Sequence, residues 1–159
     1  MNPSNFKTVI LEQMQSASAS GDVFGTVDTK GFDYMVMQCE LATVSAAHTA
    51  MEILRMGEAD TVPTDVTTDC TVLPALSCGA AVAATCENIL PALSSTKQNL
   101  FQFNVDLRGR KRYLAIDLTP VQTCSWISMV AHLFRNNSGD DPLATVATTA
   151  DGLRLVANV

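Results

Sequence analysis

The chain has 159 residues, the size of one ordinary domain and enough to bury a proper core. It is 47% hydrophobic and only 16% charged, and its 16 Asp and Glu outnumber its 10 Lys and Arg for a formal net charge of -6. That balance argues against free DNA or RNA as the main ligand, because phosphate binding shows as a basic excess over a whole face, and no apolar run reaches the ~18 residues of a membrane span.

In chain order, the amino end (MNPSNFKTVILEQ) lacks the charged region and long apolar core of a signal peptide. With an odd count of five cysteines (Cys39, Cys70, Cys78, Cys86 and Cys124), it points to free thiols and synthesis in a reducing cytoplasm. Residues 8–15 (TVILEQMQ) begin apolar and then alternate, as a half-buried strand does. Residues 22–28 (DVFGTVD) put Val23, Gly25 and Val27 on one face. Residues 34–41 (YMVMQCEL) are mostly apolar and predict a central strand buried on both faces. Residues 50–56 (AMEILRM) allow a strand, although 47–56 also allows a helical turn or two.

The second half is clearer. Residues 100–107 (LFQFNVDL) send Phe101, Phe103, Val105 and Leu107 one way and Gln102, Asn104 and Asp106 the other, a strand with a core face and a wet face. Residues 112–118 (RYLAIDL) align Leu114, Ile116 and Leu118, and 124–134 (CSWISMVAHLF) form a long β-rich run. Residues 153–159 (LRLVANV) alternate to the last position, as a last strand of the same sheet system or as an arm adding a strand to a neighbour. Residues 71–95 resist assignment, though Cys70, Cys78 and Cys86 recur every eight residues. About eight short strands separated by turn signals predict an all-β sandwich or barrel. The domain spans residues 1–135, with 136–159 as a carboxy-terminal loop and arm or last strand.

No constellation for catalysis emerges. The two histidines, His48 and His132, are 84 positions apart, and no G-x-S-x-G elbow occurs. Cys39 and Cys124 sit among apolar neighbours in predicted strands and read as small buried side chains. His132 shares a face with Val130 and Phe134 and reads as a packed or rim histidine. The cysteine spacing matches no zinc motif. NNSGDDP at 136–142 is turn chemistry before it is a calcium loop, and no glycine-rich phosphate loop is present. Carboxylate pairs for glycoside chemistry would want aromatic platforms, and the chain has one Trp and two Tyr. The expectation is a protein without enzymatic activity, cofactor or metal.

One feature stands out against the acidic background. Arg108, Arg110, Lys111 and Arg112 fall within five positions in VDLRGRKRYLAIDL. Leu107 ends one alternating pattern and Leu114 resumes it, so 108–111 has the length of a hairpin loop, with Gly109 free to take positive φ. The charges either keep the tip soluble or dock on an acidic protein surface through bidentate pairs. Arg112 and Tyr113 should point to opposite faces, with Tyr113 inward.

VDTKGFDYMVMQCEL (27–41) resembles the V-D-T-x-G-F-D segment of small head proteins of tailed bacteriophages, and DLRGRKRYLAIDLTP (106–120) resembles their later G-x-K-R-Y strand, in the same order and about eighty residues apart. The resemblance implies a jelly-roll-like antiparallel β-sandwich that decorates or cements a phage capsid from its outer surface. It implies the major capsid protein as partner, a homo-oligomer with a trimer favoured, and no nucleic acid or membrane as ligand. Other virion structural roles (head-fibre base, tail or adaptor) or a carbohydrate-binding sandwich are the alternatives. Residues 54–65 (LRMGEADTVPTD) lack the tandem acids of that family, and neither 71–95 nor the tail beyond Asn136 has a counterpart.

Overall fold

A computed structural model describes residues 5–17, 22–43, 51–79, 88–89, 93–96, 98–120, 124–135 and 153–158, and in it the alternating segments are strands. They are β1 (Phe6–Ala17), β2 (Val23–Asp28), β3 (Tyr34–Leu41), β4 (Met51–Ala59), β5 (Thr71–Val72), β6 (Cys78–Gly79), β7 (Asn88–Ile89), β8 (Asn99–Asp106), β9 (Tyr113–Pro120), β10 (Cys124–Phe134) and β11 (Leu153–Asn158). A four-residue helix, α1 (Val66–Asp69), and a 3-10 turn at Pro74–Leu76 follow β4. Asp65 caps α1 by accepting the Thr68 N–H.

The strands form two sheets, ordered β1-β10-β3-β8-β11 and β2-β9-β4-β6-β7, with β5 paired to β4. Early strands pair in reverse order with late ones: β1 with β10, β2 with β9, β3 with β8 and β4 with β6, all antiparallel. Such a long ribbon wound so that consecutive strands change sheet is a jelly roll. β11 lies parallel to β8, and β7 parallel to β6.

The two-residue period decides which side chains fill the space between the sheets. One sheet contributes Met35, Met37, Cys39 and Leu41 from β3, Phe101, Phe103 and Val105 from β8, and Ile127, Met129, Ala131 and Leu133 from β10. The other answers with Val23 and Val27 from β2, Leu54 and Met56 from β4, and Leu114, Ile116 and Leu118 from β9. These side chains are buried, and such a core carries most of the folding free energy.

Several expectations need correction. β3 is central but not buried on both faces, since Val36, Gln38 and Glu40 lie half-buried on the outer side. Asn104 of β8 is buried, not wet, and accepts from Gln102, which itself accepts from Gln38. These three amides form a hydrogen-bonded row across the outer face of the sheet. Of the two readings open for 47–56, the strand is the one found, over Met51–Ala59. Tyr113 stays out of the core because Leu114, Ile116 and Leu118 already take the inward phase of β9. The NNSGDDP segment lies outside the described residues.

The outer face of the second sheet is roofed by α1. Val66 is buried against it, and Arg55 of β4 reaches Thr67 Oγ1 at 2.5 Å. Arg55 also faces Asp117 of β9 in register, Nε to Oδ1 at 3.8 Å, with side-chain exposures of 13% and 6%.

Candidate docking site

The basic segment is not a hairpin tip. β8 and β9 belong to different sheets and do not pair, so residues 107–112 arch from one sheet to the other. Alternation on both sides of a glycine turn is common to hairpins and arches, and partner choice is made by distant strands.

Register places a second arch beside it. The β2–β9 pair ends with Asp28 opposite Tyr113, and the β3–β8 pair begins with Tyr34 opposite Asp106. Residues 29–33 and 107–112 therefore bridge the same gap next to each other. Both close in the same way. Phe32 N–H donates to Thr29 O at 3.0 Å, and Arg110 N–H donates to Leu107 O at 3.1 Å. The third residue of each turn has positive φ, 83° at Gly31 and 82° at Gly109, as a type II turn requires. The second residue of each is a cation, Lys30 or Arg108.

The arches are stitched together. Thr29 donates to Arg112 O twice, from its N–H at 2.9 Å and from Oγ1 at 2.7 Å. Leu107 N–H donates to Asp33 O at 2.8 Å, and Asp33 N–H donates to Phe134 O at 2.9 Å. Arg135, just after β10, donates through Nε to Gly31 O and lies over the Phe32 ring at 5.1 Å.

The four residues singled out by sequence fall into two pairs. Arg112 grips Asp28 with two parallel bonds, Nε to Oδ1 at 3.0 Å and Nη2 to Oδ2 at 2.7 Å, and covers the Tyr113 ring at 4.9 Å. Those bonds hold the Asp28 carboxyl down at about 2. Arg108 bonds Asp106 through Nε at 2.9 Å and Nη2 at 2.5 Å, lies over Tyr34 at 4.9 Å, and lowers the Asp106 carboxyl. Both guanidinium groups are thus occupied within the chain.

Arg110 and Lys111 face the space between the arches. Arg110 Nε donates to Asp106 O at 2.8 Å, while its nearest carboxylate, on Glu58, is 3.9 Å away. Lys111 Nζ donates to Thr71 Oγ1 at 3.0 Å and lies 3.8 Å from the exposed Asp60. With Arg112 and residues 29–32 they line a cleft of about 340 Å³ that has Phe32 and Leu107 as its apolar part. Arg108 does not line it.

Lys30, Phe32 and Arg135 belong to the same end of the sandwich and were missed by the sequence reading. A signal existed: Thr29-Lys30-Gly31-Phe32 and Leu107-Arg108-Gly109-Arg110 share a cation followed by glycine in a turn context.

The other residues weighed for chemistry are placed as follows. His132 lies on the outer face, stacked on Phe6 at 5.8 Å with Nδ1 3.2 Å from Thr8 Oγ1. Cys39 is in the core, and burial pushes its thiol up to about 12. Among the described residues no group of three or more His, Cys, Asp or Glu side chains is placed to hold a metal ion.

Fold and site together define a jelly-roll β-sandwich with a basic, two-arched rim at one end. Among solved structures it is similar to the coat protein of tobacco streak virus, at 7% identity and a TM-score of 0.32, over 93% of this chain and 99% of that one. No protein-family model matches the chain, and no curated protein sequence matches it.

Proposed function

We propose that this chain is a structural virion protein that decorates the outer surface of a tailed-phage head and stabilises it by binding the major capsid protein. One observation carries the reading. The two segments that resemble phage head proteins, about eighty residues apart in sequence, meet side by side. Asp28 bonds Arg112, Thr29 bonds the Arg112 carbonyl, Gly31 makes the turn and Asp33 accepts from Leu107. The motif residues thus describe one joint, which supports treating the two weak matches as a single stronger one.

In this role, binding energy comes from contact area and strand or rim complementarity. Copies would act as trimers at local threefold positions of the shell.

The test mixes the purified full-length protein with phage heads that lack it, follows co-sedimentation, and images labelled protein on particles. Many copies spread over the shell support decoration. Label confined to a vertex or to the tail would replace it with a fibre-base or adaptor role. No binding to heads, together with absence from virions by mass spectrometry, would end the proposal.

A further inference from the structure

We infer that the cleft between the two arches seats an acidic segment of the partner protein, an Asp or Glu side chain flanked by an apolar residue. The inference rests on the docking role proposed above and names the chemistry of its contact.

The state of each cation leads there. Arg112 and Arg108 each make a bidentate pair, with Asp28 and Asp106, so their charges are matched within the chain. Arg110 differs. Its Nε is pinned to the Asp106 carbonyl, which fixes the plane of the guanidinium, yet its Nη groups make no hydrogen bond among the described residues, and Glu58 at 3.9 Å is beyond hydrogen-bond reach. Lys30 has no ion pair among the described residues and stands on the opposite arch of the same cleft. A guanidinium pinned at Nε and only loosely paired with Glu58, lining one cleft with an ammonium that has no ion pair among the described residues, offers donors to a carboxylate.

Phe32, half-buried, adds apolar surface beside those donors, which suits a carboxylate on a peptide better than an isolated inorganic anion. A nucleic acid is the weaker fit. Its phosphates repeat along the strand and need a basic track, whereas this cleft is short and the whole chain carries -6.

The experiment uses the full-length protein in two arms. In the first, backbone and Arg Nε–H NMR signals are followed while an Asp-Leu-Glu-Phe peptide is added, then a Lys-Leu-Lys-Phe peptide, then a short single-stranded oligonucleotide. The inference expects shifts at Gly31, Gly109 and Arg110 with the acidic peptide only. Shifts at those residues with the oligonucleotide, or none with the acidic peptide, overturn it.

In the second arm, head binding is compared for the wild type, Lys30→Glu, Arg110→Gln and Arg108→Ala. Lys30→Glu should weaken binding about tenfold at unchanged melting temperature, Arg110→Gln should weaken it by a similar factor while losing some melting temperature with its bond to the Asp106 carbonyl, and Arg108→Ala should bind within about twofold of wild type. Lys30→Glu guards against misfolding, because its side chain has no ion pair among the described residues to lose. Wild-type-like binding by Lys30→Glu and Arg110→Gln would sink the cleft while leaving the decoration role standing. If the wild type itself does not bind heads, the decoration role fails and the peptide arm alone decides the cleft.

Discussion

Asp117 allows the electrostatics of the second sheet to be tested quantitatively. It sits under the α1 roof opposite Arg55, and burial pushes its carboxyl up to about 6 from 3.8, an effect the Arg55 charge only partly offsets. Arg55 Nε and Asp117 Oδ1 are both buried and without a hydrogen-bond partner among the described residues, so the attraction is incompletely used. The folded value lies above the unfolded one, so between pH 3.8 and about 6 the native state holds more protons than the unfolded state. Stability from this residue therefore falls as pH rises through that window, and the whole penalty is present above it. One pKa unit is worth about 1.4 kcal/mol, which sets a ceiling of about 3 kcal/mol for the shift. Asp117→Asn keeps the shape and removes the titration. Urea unfolding of both proteins at pH 4, 5, 6 and 7 isolates the effect, because the other carboxylates are common to both. The wild type should lose stability relative to Asp117→Asn by up to about 3 kcal/mol between pH 4 and pH 7. A constant difference across that range would refute the argument, as would an Asp117 carboxyl signal titrating below pH 4 in the folded protein.

Phe103→Ala opens the centre of the core on β8 and should cost about 3–5 kcal/mol in chemical unfolding, against almost nothing for a change at exposed Val62. Gly109→Ala places a side chain at φ 82° with open space around it, so a loss of about 1–2 kcal/mol, measured in the same way, reports the backbone alone. Asp28→Asn acts at the acid end. The Asp28 carboxyl is depressed to about 2 in the folded chain, so its contribution is present above the unfolded value and is lost as pH falls towards 2. The variant should flatten the acid limb of a melting-temperature profile, by an amount that shrinks with added salt because the pair is exposed.

How much of this was legible in the sequence depends on whether the information is local. The strands at Val23–Asp28, Tyr34–Leu41 and Asn99–Asp106 are written in their alternation, and the inward set Phe101, Phe103 and Val105 follows directly. The route between strands is not. Leu107-Arg108-Gly109-Arg110 has the chemistry of a four-residue reversal, and nothing within it says whether the chain returns to its own sheet or crosses to the other. That choice is made by β2 and β4 taking β9 as neighbour, and by β3 taking β8. Residues 71–79 were illegible because two-residue strands have no period to read. The site divides the same way. The run 108–112 is conspicuous by density, but Lys30 becomes part of it only through the fold. Burial of Asn104 was likewise hidden, because its partner amides come from two strands.

The distribution of charge bears on how the protein would find a partner. Lys30, Arg108, Arg110, Lys111, Arg112 and Arg135 gather around the two arches, six of the ten cations in a chain of net charge -6. The arches carry their own acids: Arg112 and Arg108 pair with Asp28 and Asp106, and Arg110 and Lys111 lie 3.9 and 3.8 Å from Glu58 and Asp60, so Lys30 is the cleft cation without an ion pair among the described residues. The remainder of the chain holds the acid excess. In the proposed docking role such a molecule would approach an acidic surface arch-first and be repelled in other orientations, which would raise the fraction of productive encounters. Association with heads, followed by stopped-flow light scattering, should therefore slow steeply as salt rises from 20 to 300 mM, while dissociation changes little. Lys30→Glu should lower the association rate and flatten its salt dependence, because it removes a cation that has no ion pair among the described residues. A salt-independent association rate, or a Lys30→Glu defect confined to dissociation, would mean that the arches do not guide the encounter.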